Sequence, residues 1–252
     1  MRACLVTFVK FVCVAGLTMA AVSASAAEAP LRVLVPAYAQ AAVTILKPMI
    51  ESQTGVAIAL EAATTDVIVE RLAKADAGDL VVTSKNSLAP AALQERVEMQ
   101  RDVAVSTVGI AVADAAAAPK LASTEDLAKF LTETPSFAYS TAQSGRHMAA
   151  VIEKLGLTEV MKAKTQTGAG LMGTRIIEGK VAAVGQQISE LRLAGLTNIV
   201  PLPEAHQLRI TVSAAAVRGT RRAMDAEKVL NVLASAAAAK AYSDAGLIPL
   251  KN

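Results

Sequence analysis

The sequence predicts an α/β fold in which parallel sheets are covered by helices on both faces. Three observations carry that expectation. Short β-prone runs recur along the chain, and apolar residues between them fall at helical spacing. Much of the 53% hydrophobic content is alanine, with aromatics only 3%, and alanine loses no side-chain entropy in a helix. No internal repeat, long Gly/Ser linker or charge block interrupts the pattern, so any division into lobes must come from topology.

In chain order, Leu31–Val35 reads as the first strand, ended by Pro36. From Gln40 to Gln53, Val43, Leu46, Met49 and Ile50 mark one helical face, with Pro48 placed to kink it and Gly55 suited to a left-handed cap. Val56–Leu60 is the second strand, and Thr64-Thr65-Asp66 can cap a helix through Val67, Ile68, Arg71 and Leu72. Gly78–Val82 is the third strand and opens into Thr83-Ser84. Val103–Ala113 is a long apolar strand, and Ser123–Asp126 opens a helix through Leu131. Phe137–Tyr139 is a strand, Ser140–Gly145 a polar turn, and Met148–Leu155 a helix. Thr167–Gly170 and Met172-Gly173 read as a flexible turn before a helix near Thr174. Val181–Val184 is a strand, followed by Gln186-Gln187 and a short helix at Ile188–Leu193. Ile199–Pro203 ends a segment, Leu208–Val217 is a long returning strand, and Ala223–Tyr242 is a terminal helix.

The N-terminus carries its own message. Arg2 and Lys10 flank or precede an apolar run from Phe11 to Val22, and small residues end at Ala24-Ser25-Ala26. That order predicts a signal peptide over residues 1–26, cleaved after Ala26, and places the mature protein outside the cytoplasm. The apolar run is too short for the roughly 20 residues of a membrane span. Both cysteines, Cys4 and Cys13, lie in the removed segment, which excludes disulfides, thiol catalysis and thiolate metal sites from the mature chain. Losing Arg2 and Lys10 leaves 23 basic against 22 acidic residues, a net charge of +1. Such a near-neutral chain has no sequence-independent grip on nucleic acid or anionic lipid. After Ala27 no stretch approaches a membrane span, so a soluble protein is expected.

Ligands of parallel α/β sheets bind beyond the carboxyl ends of strands. Four such junctions offer small donors: Thr64-Thr65, Thr83-Ser84, Ser140-Thr141 with Ser144, and Gln186-Gln187. Hydroxyls and backbone N–H groups at helix starts can hold an anion without a full counter-charge. Each Ser or Thr could instead merely cap its own helix, which is the commonest use.

On these pieces the chain resembles the periplasmic substrate-binding proteins of ABC importers, specifically the molybdate-binding-like group. The resemblance rests on Val33–Ala41, Gly78–Ser84, Val184–Leu191, Pro201–Glu204 with Thr211–Val217, and the closing Ala237–Pro249 with Tyr242, Gly246 and Leu247. It implies a type II two-lobe fold, each lobe a mostly parallel sheet flanked by helices, with the ligand cleft between them. Lobe I would comprise 27–112 and 206–252, and lobe II 113–205. The chain departs from the group in two places. Pro36-Ala37-Tyr38-Ala39 stands where a serine-bearing small loop is usual, and Gln186-Gln187 where a tyrosine is common. The segment Gln187–Leu191 is similar to a divergent branch that includes aconitate-isomerase-like proteins.

Arg146 follows Ser144-Gly145 at an expected helix start, and a guanidinium suits an organic carboxylate through paired hydrogen bonds. Two isolated histidines, His147 and His206, give no metal-ligand spacing. No nucleophile elbow, phosphate loop or full dinucleotide pattern occurs, so no cofactor and no metal are expected. The expected function is capture of a small anion, a molybdate-like oxyanion or organic carboxylate, for an ABC permease by closure of two lobes. The protein is expected to act as a monomer without catalysis. The expected ligand-binding residues are Tyr38, Thr64, Thr65, Thr83, Ser84, Ser140, Thr141, Ser144, Arg146, Gln186 and Gln187. The alternative is an aconitate-isomerase-like enzyme on a tricarboxylic acid in the same cleft. Arg146 would then anchor a carboxylate and Tyr38 or His147 would move the proton, with Glu190 a further proton carrier near the cleft.

Overall fold

The structure, a computed structural model, describes residues 28–250. The expected signal peptide, residues 1–26, lies outside them. In chain order the elements are β1 (Leu31–Val35), α1 (Ala37–Thr54), β2 (Ile58–Ala62), α2 (Thr65–Ala73), β3 (Leu80–Ser84), α3 (Lys85–Leu88), α4 (Ala91–Gln94) and β4 (Val97–Val112). There follow α5 (Thr124–Glu133), β5 (Phe137–Ser140), α6 (Gln143–Lys154), α7 (Thr158–Lys162), β6 (Thr165–Gly168), α8 (Thr174–Ile177), β7 (Ala183–Gln187) and α9 (Ile188–Leu193). The chain closes with β8 (Ile199–Pro201), β9 (Arg209–Val217), α10 (Ala223–Leu233), α11 (Ala239–Asp244) and β10 (Ile248–Pro249).

The strands lie in the order β2-β1-β3-β9-β4-β7-β5-β6, with β10 and β8 both paired to β4. Each end of this array is parallel: β2-β1-β3 on one side and β7-β5-β6 on the other. The two long strands between them run antiparallel to their neighbours. Strand β4 joins two sheets. Its residues up to Thr107 pair β9, and from Val108 onward they pair β7. The chain crosses back between β8 and β9, where Gln207 imitates a strand partner. Its Oε1 accepts from the Val108 N–H at 2.8 Å, and its Nε2 donates to the Val108 carbonyl at 3.0 Å.

Both sheets are covered on both faces, which explains why their strands read as continuous apolar runs rather than alternating ones. In the first sheet, Leu31, Val33 and Val35 pack under α1, α10 and α11, while Leu34 and Val81 pack with Ile68, Leu72 and Leu88 on the other face. In the second, Ile110, Phe137 and Ala183 join Leu127, Leu131 and Met148, whereas Ala111, Ala138 and Val184 join Met172, Ile176 and Leu191. The alternation within each strand follows the two-residue period of the pleat.

Local signals set several ends. Gly55 closes α1 at φ 69°, its N–H bonded to the Glu51 carbonyl. Ser123 and Asp126 form a reciprocal capping box on α5. Pro48 is accommodated inside α1. Three expectations need correction. The terminal helix is broken: α10 stops at Leu233, and the Tyr242 hydroxyl donates to the Leu233 carbonyl at 2.8 Å, satisfying an acceptor the break sets free. Helix α6 begins at Gln143 rather than Met148, so Ser144, Arg146 and His147 sit within its first turns. The expected flexible turn starts later: Thr167 and Gly168 end β6, an edge strand whose residues all remain part-exposed or exposed and therefore show no apolar pattern, and bends and turns follow up to Thr174.

The early start of α6 depends on two glycines. A Cβ on Gly145 would lie 1.5 Å from the Ser140 carbonyl oxygen, and one on Gly185 would meet Phe137 Cζ at 2.9 Å and Met148 at 3.1 Å. These contacts seat the helix directly against β5 and β7. Gly185→Ala is expected to destabilise the protein by about 1–3 kcal/mol through overpacking, read as a lower urea midpoint at unchanged m-value.

Candidate functional site

Where the carboxyl ends of the two parallel sheets face one another, a cavity of about 450 Å³ opens. Pro36, Ala37 and Tyr38 line it from the start of α1, Ala62 to Asp66 from the β2–α2 junction, and Ser87 from α3. From the second sheet come Ala142, Gln143, Ser144 and Arg146 at the start of α6, Gly170 and Leu171, then Gln186, Gln187 and Glu190. A larger depression of about 550 Å³ lies elsewhere, among Lys85, Arg101, Asp102 and Asn231. It is more open, and its Lys85 and Asp102 are already paired at 2.6 Å.

Two long helices aim their N-termini into the cavity, one from each lobe. Helix α1 starts behind Pro36 and α6 behind Ala142, and neither has a side-chain cap. Apart from Ala39, whose N–H already bonds the Pro36 carbonyl, their first-turn N–H groups and the positive ends of their dipoles therefore remain for a ligand. Helices α2 and α3 differ. Thr64 Oγ1 accepts from the Val67 N–H at 3.3 Å, and Ser84 Oγ from the Ser87 N–H at 3.1 Å. These two hydroxyls serve as caps of their own helices.

Ser144 makes the sharper point. Its residue is 1% exposed, it lines the cavity, and its Oγ has no hydrogen-bond partner among the described residues. Ser140 Oγ, one strand-end away, is equally buried and unpartnered. Leaving a buried hydroxyl unsatisfied costs about 1–3 kcal/mol, a penalty that a bound acceptor would remove.

The remaining sequence-selected residues divide by geometry. Tyr38 is 4% exposed, and its phenol stands 3.5 Å from Thr65 Oγ1 on the cavity wall. Burial pushes that phenol above its ordinary range, only partly offset by the Thr65 and Thr83 hydroxyls. Thr83 is fully buried beside it and does not line the cavity. Arg146 reaches the cavity rim, donating to the Thr141 carbonyl at 3.3 Å. Thr141 itself is exposed and pinned to the Gly168 carbonyl by its N–H at 2.8 Å. Gln186 is committed to the fold: its Oε1 accepts from the Met172 N–H and its Nε2 donates to the Gly170 carbonyl, each at 3.0 Å. Gln187 Oε1 accepts from Ser106 Oγ at 2.9 Å, tying the cavity wall to the crossing strand β4. His147 does not line the cavity; its Nε2 lies 2.8 Å from the His206 carbonyl and holds α6 to the crossing segment.

Glu190 gains weight from the structure. It lies three residues beyond Gln187, in the first turn of α9, and faces Tyr38 across the cavity. Burial pushes its carboxyl up to about 7, with the Gln186 amide and the Gln187 backbone N–H opposing the shift. The sequence places a carboxylate at this junction, but only the structure shows it part-buried on the cavity wall.

The fold and this interlobe cavity define a solute-binding protein of the two-lobe class. Residues 31–248 match the family described as bacterial extracellular solute-binding protein, and the chain belongs to that family. A curated relative, an aconitate isomerase from a Pseudomonas species, is 29% identical over 213 residues, covering 81% of each chain. The periplasmic molybdate-binding protein of Azotobacter vinelandii superposes with a TM-score of 0.71 at 15% identity, covering 88% of this chain and all of that one. The tungstate-binding protein TupA of Desulfovibrio alaskensis gives a TM-score of 0.63 at 18% identity, covering 89% of this chain and all of that one.

The Glu190 carboxyl sets a stability test. Its folded-state pKa, about 7, lies above the ordinary 4.5. The stability it contributes is therefore full below about pH 4.5 and is lost as pH rises through about 7. Glu190→Gln should leave stability near pH 4 almost unchanged and raise it near pH 8 by roughly 2–3 kcal/mol, measured by urea unfolding across that range.

Proposed function

We propose that this protein captures a small anion in the cavity between its lobes, in the periplasm, and delivers it to an ABC permease. The observation that carries the reading is the pair of uncapped helix N-termini, α1 from one lobe and α6 from the other, meeting beside the unpartnered Ser144 hydroxyl. The lobes of the reading are 27–112 with 206–252, and 113–205, working as a monomer. Closure brings donors from both lobes onto one guest, a hinge motion about the crossing strands. Ser144, Thr65 and the first-turn N–H groups would hold oxygens of the anion, Tyr38 would close the opening, and Arg146 would pair a carboxylate at the rim. The oxyanions in the names of the structural relatives and the tricarboxylate in that of the curated relative are both compatible with such donors.

A second reading has its own support. The curated relative is an aconitate isomerase, and Tyr38 and Glu190 are two proton-carrying groups facing one cavity. Isomerisation moves a double bond by taking a proton from one carbon and returning one to another. Arg146 would anchor a carboxylate during the transfer, with Tyr38 or Glu190 as the proton carrier; His147 is directed elsewhere by its bond to the connector.

Calorimetry with molybdate, tungstate, sulfate, phosphate, citrate and trans-aconitate tests the first reading. At least one is expected to bind, and Ser144→Ala with Arg146→Ala should weaken it at least about tenfold, since charge-assisted bonds are worth roughly 1.5–3 kcal/mol each. No heat with any of them would sink it. Incubation with trans-aconitate separates the second: appearance of the cis isomer, lost in Tyr38→Phe or Glu190→Gln, is the expected result of catalysis, and binding without turnover leaves a carrier.

A further inference from the structure

Resting on the anion-binding reading above, we propose that Glu190 is the specificity-determining residue of the cavity. Its carboxyl demands a hydrogen-bond donor from the guest, so that a hydroxylated carboxylate such as a 2-hydroxy acid is taken and proton-free tetraoxo anions are rejected at neutral pH and above.

The argument starts from where the charges stand. The donors of the cavity come from helix starts and small hydroxyls, and they fit any anion of suitable size. Two acids stand among them, Asp66, which is exposed, and Glu190, the part-buried acceptor on the same wall. Sulfate, molybdate or tungstate would set a second full negative charge against its carboxylate in a site of low dielectric, where repulsion is only weakly screened. A hydroxyl on the guest turns the same contact into a charge-assisted hydrogen bond. Neutral donors alone do not discriminate in this way; an anionic acceptor does, because one face of the guest is required to carry a proton.

Few groups around Glu190 blunt the effect. From α1, Tyr38 faces it and remains neutral. From the α2 start, Asp66 lines the same cavity and adds negative charge, and from α6, Arg146 is the cation at the rim. On its own helix, Arg192 is exposed and donates to the Asp244 carbonyl at 3.1 Å. Strands β7 and β8 carry no titratable side chain, and those of β4 lie in the half that pairs β9. With the carboxyl pushed up to about 7, protonation below that pH converts Glu190 from acceptor to donor and opens the cavity to proton-free anions.

The test is calorimetry with sulfate, and with malate against its hydroxyl-free counterpart succinate, on wild type and Glu190→Gln from about pH 6 to about pH 8.5. For wild type, sulfate affinity is expected to fall about tenfold for each pH unit above the carboxyl's midpoint, and malate should exceed succinate at least about tenfold at the upper pH. In Glu190→Gln the sulfate profile should flatten and the malate preference shrink to within about threefold. The wild-type sulfate profile is independent of how the variant folds. A flat profile in wild type, or a variant that keeps the full pH dependence and preference, overturns the role of Glu190 and leaves the anion-binding reading standing. Absence of binding by any of the three anions to either protein at every pH, or binding untouched by Ser144→Ala and Arg146→Ala together, overturns the anion site and this selection with it.

Discussion

Strand β4 hands its hydrogen bonds from one partner to another halfway along its length. Up to Thr107 it belongs to the first sheet through β9, and from Val108 it belongs to the second through β7. Backbone ladders tolerate little relative displacement, so this single strand fixes how the two parallel sheets face one another. The consequence is chemical: the carboxyl ends of β1 and β3 are brought opposite those of β5 and β7, and the helices that follow them share a cavity. The side chain of Gln207 repairs the backbone pairing of the returning segment at the same point, and Ser106 with Gln187 joins it to the cavity wall.

The proposed anion site carries little formal charge. The chain's formal net charge is only +3, and Arg146 is the single cationic side chain among the described residues that line the cavity. The field comes instead from oriented peptide groups at two helix starts that no side chain caps. Such a site depends on geometry more than on composition. The α6 start is held in place because Gly145 and Gly185 let the helix lie against the Ser140 carbonyl and the Phe137 ring. Removing that close approach would move the donors rather than delete them.

Against this positive field stands the part-buried Glu190 carboxyl. A carboxyl shifted by burial is costly to keep in a binding site, and under the proposal above it would separate guests that can share a proton from those that cannot. The same carboxyl underlies the catalytic alternative, since a carboxyl titrating near neutrality can both accept and return a proton.

The order of strands and helices was legible from periodicity and caps: the Thr64 cap, the Ser123 box and the Gly55 terminus all work locally, within a few residues. Those signals are written in adjacent side chains and survive any tertiary context. Edge strand β6, the break after Leu233 and the true start of α6 left no such mark, because each depends on packing against a neighbouring element rather than on its own residue pattern. The same boundary divides the site. That hydroxyls and amides cluster after the strands could be read from the chain. Which of them caps a helix, as Thr64 and Ser84 do, which braces a loop, as Gln186 does, and which stands unpartnered on the cavity wall among the described residues, as Ser144 does, was decided only by packing. A polar side chain's role is set by the groups that reach it first, and those arrive through the fold rather than along the chain.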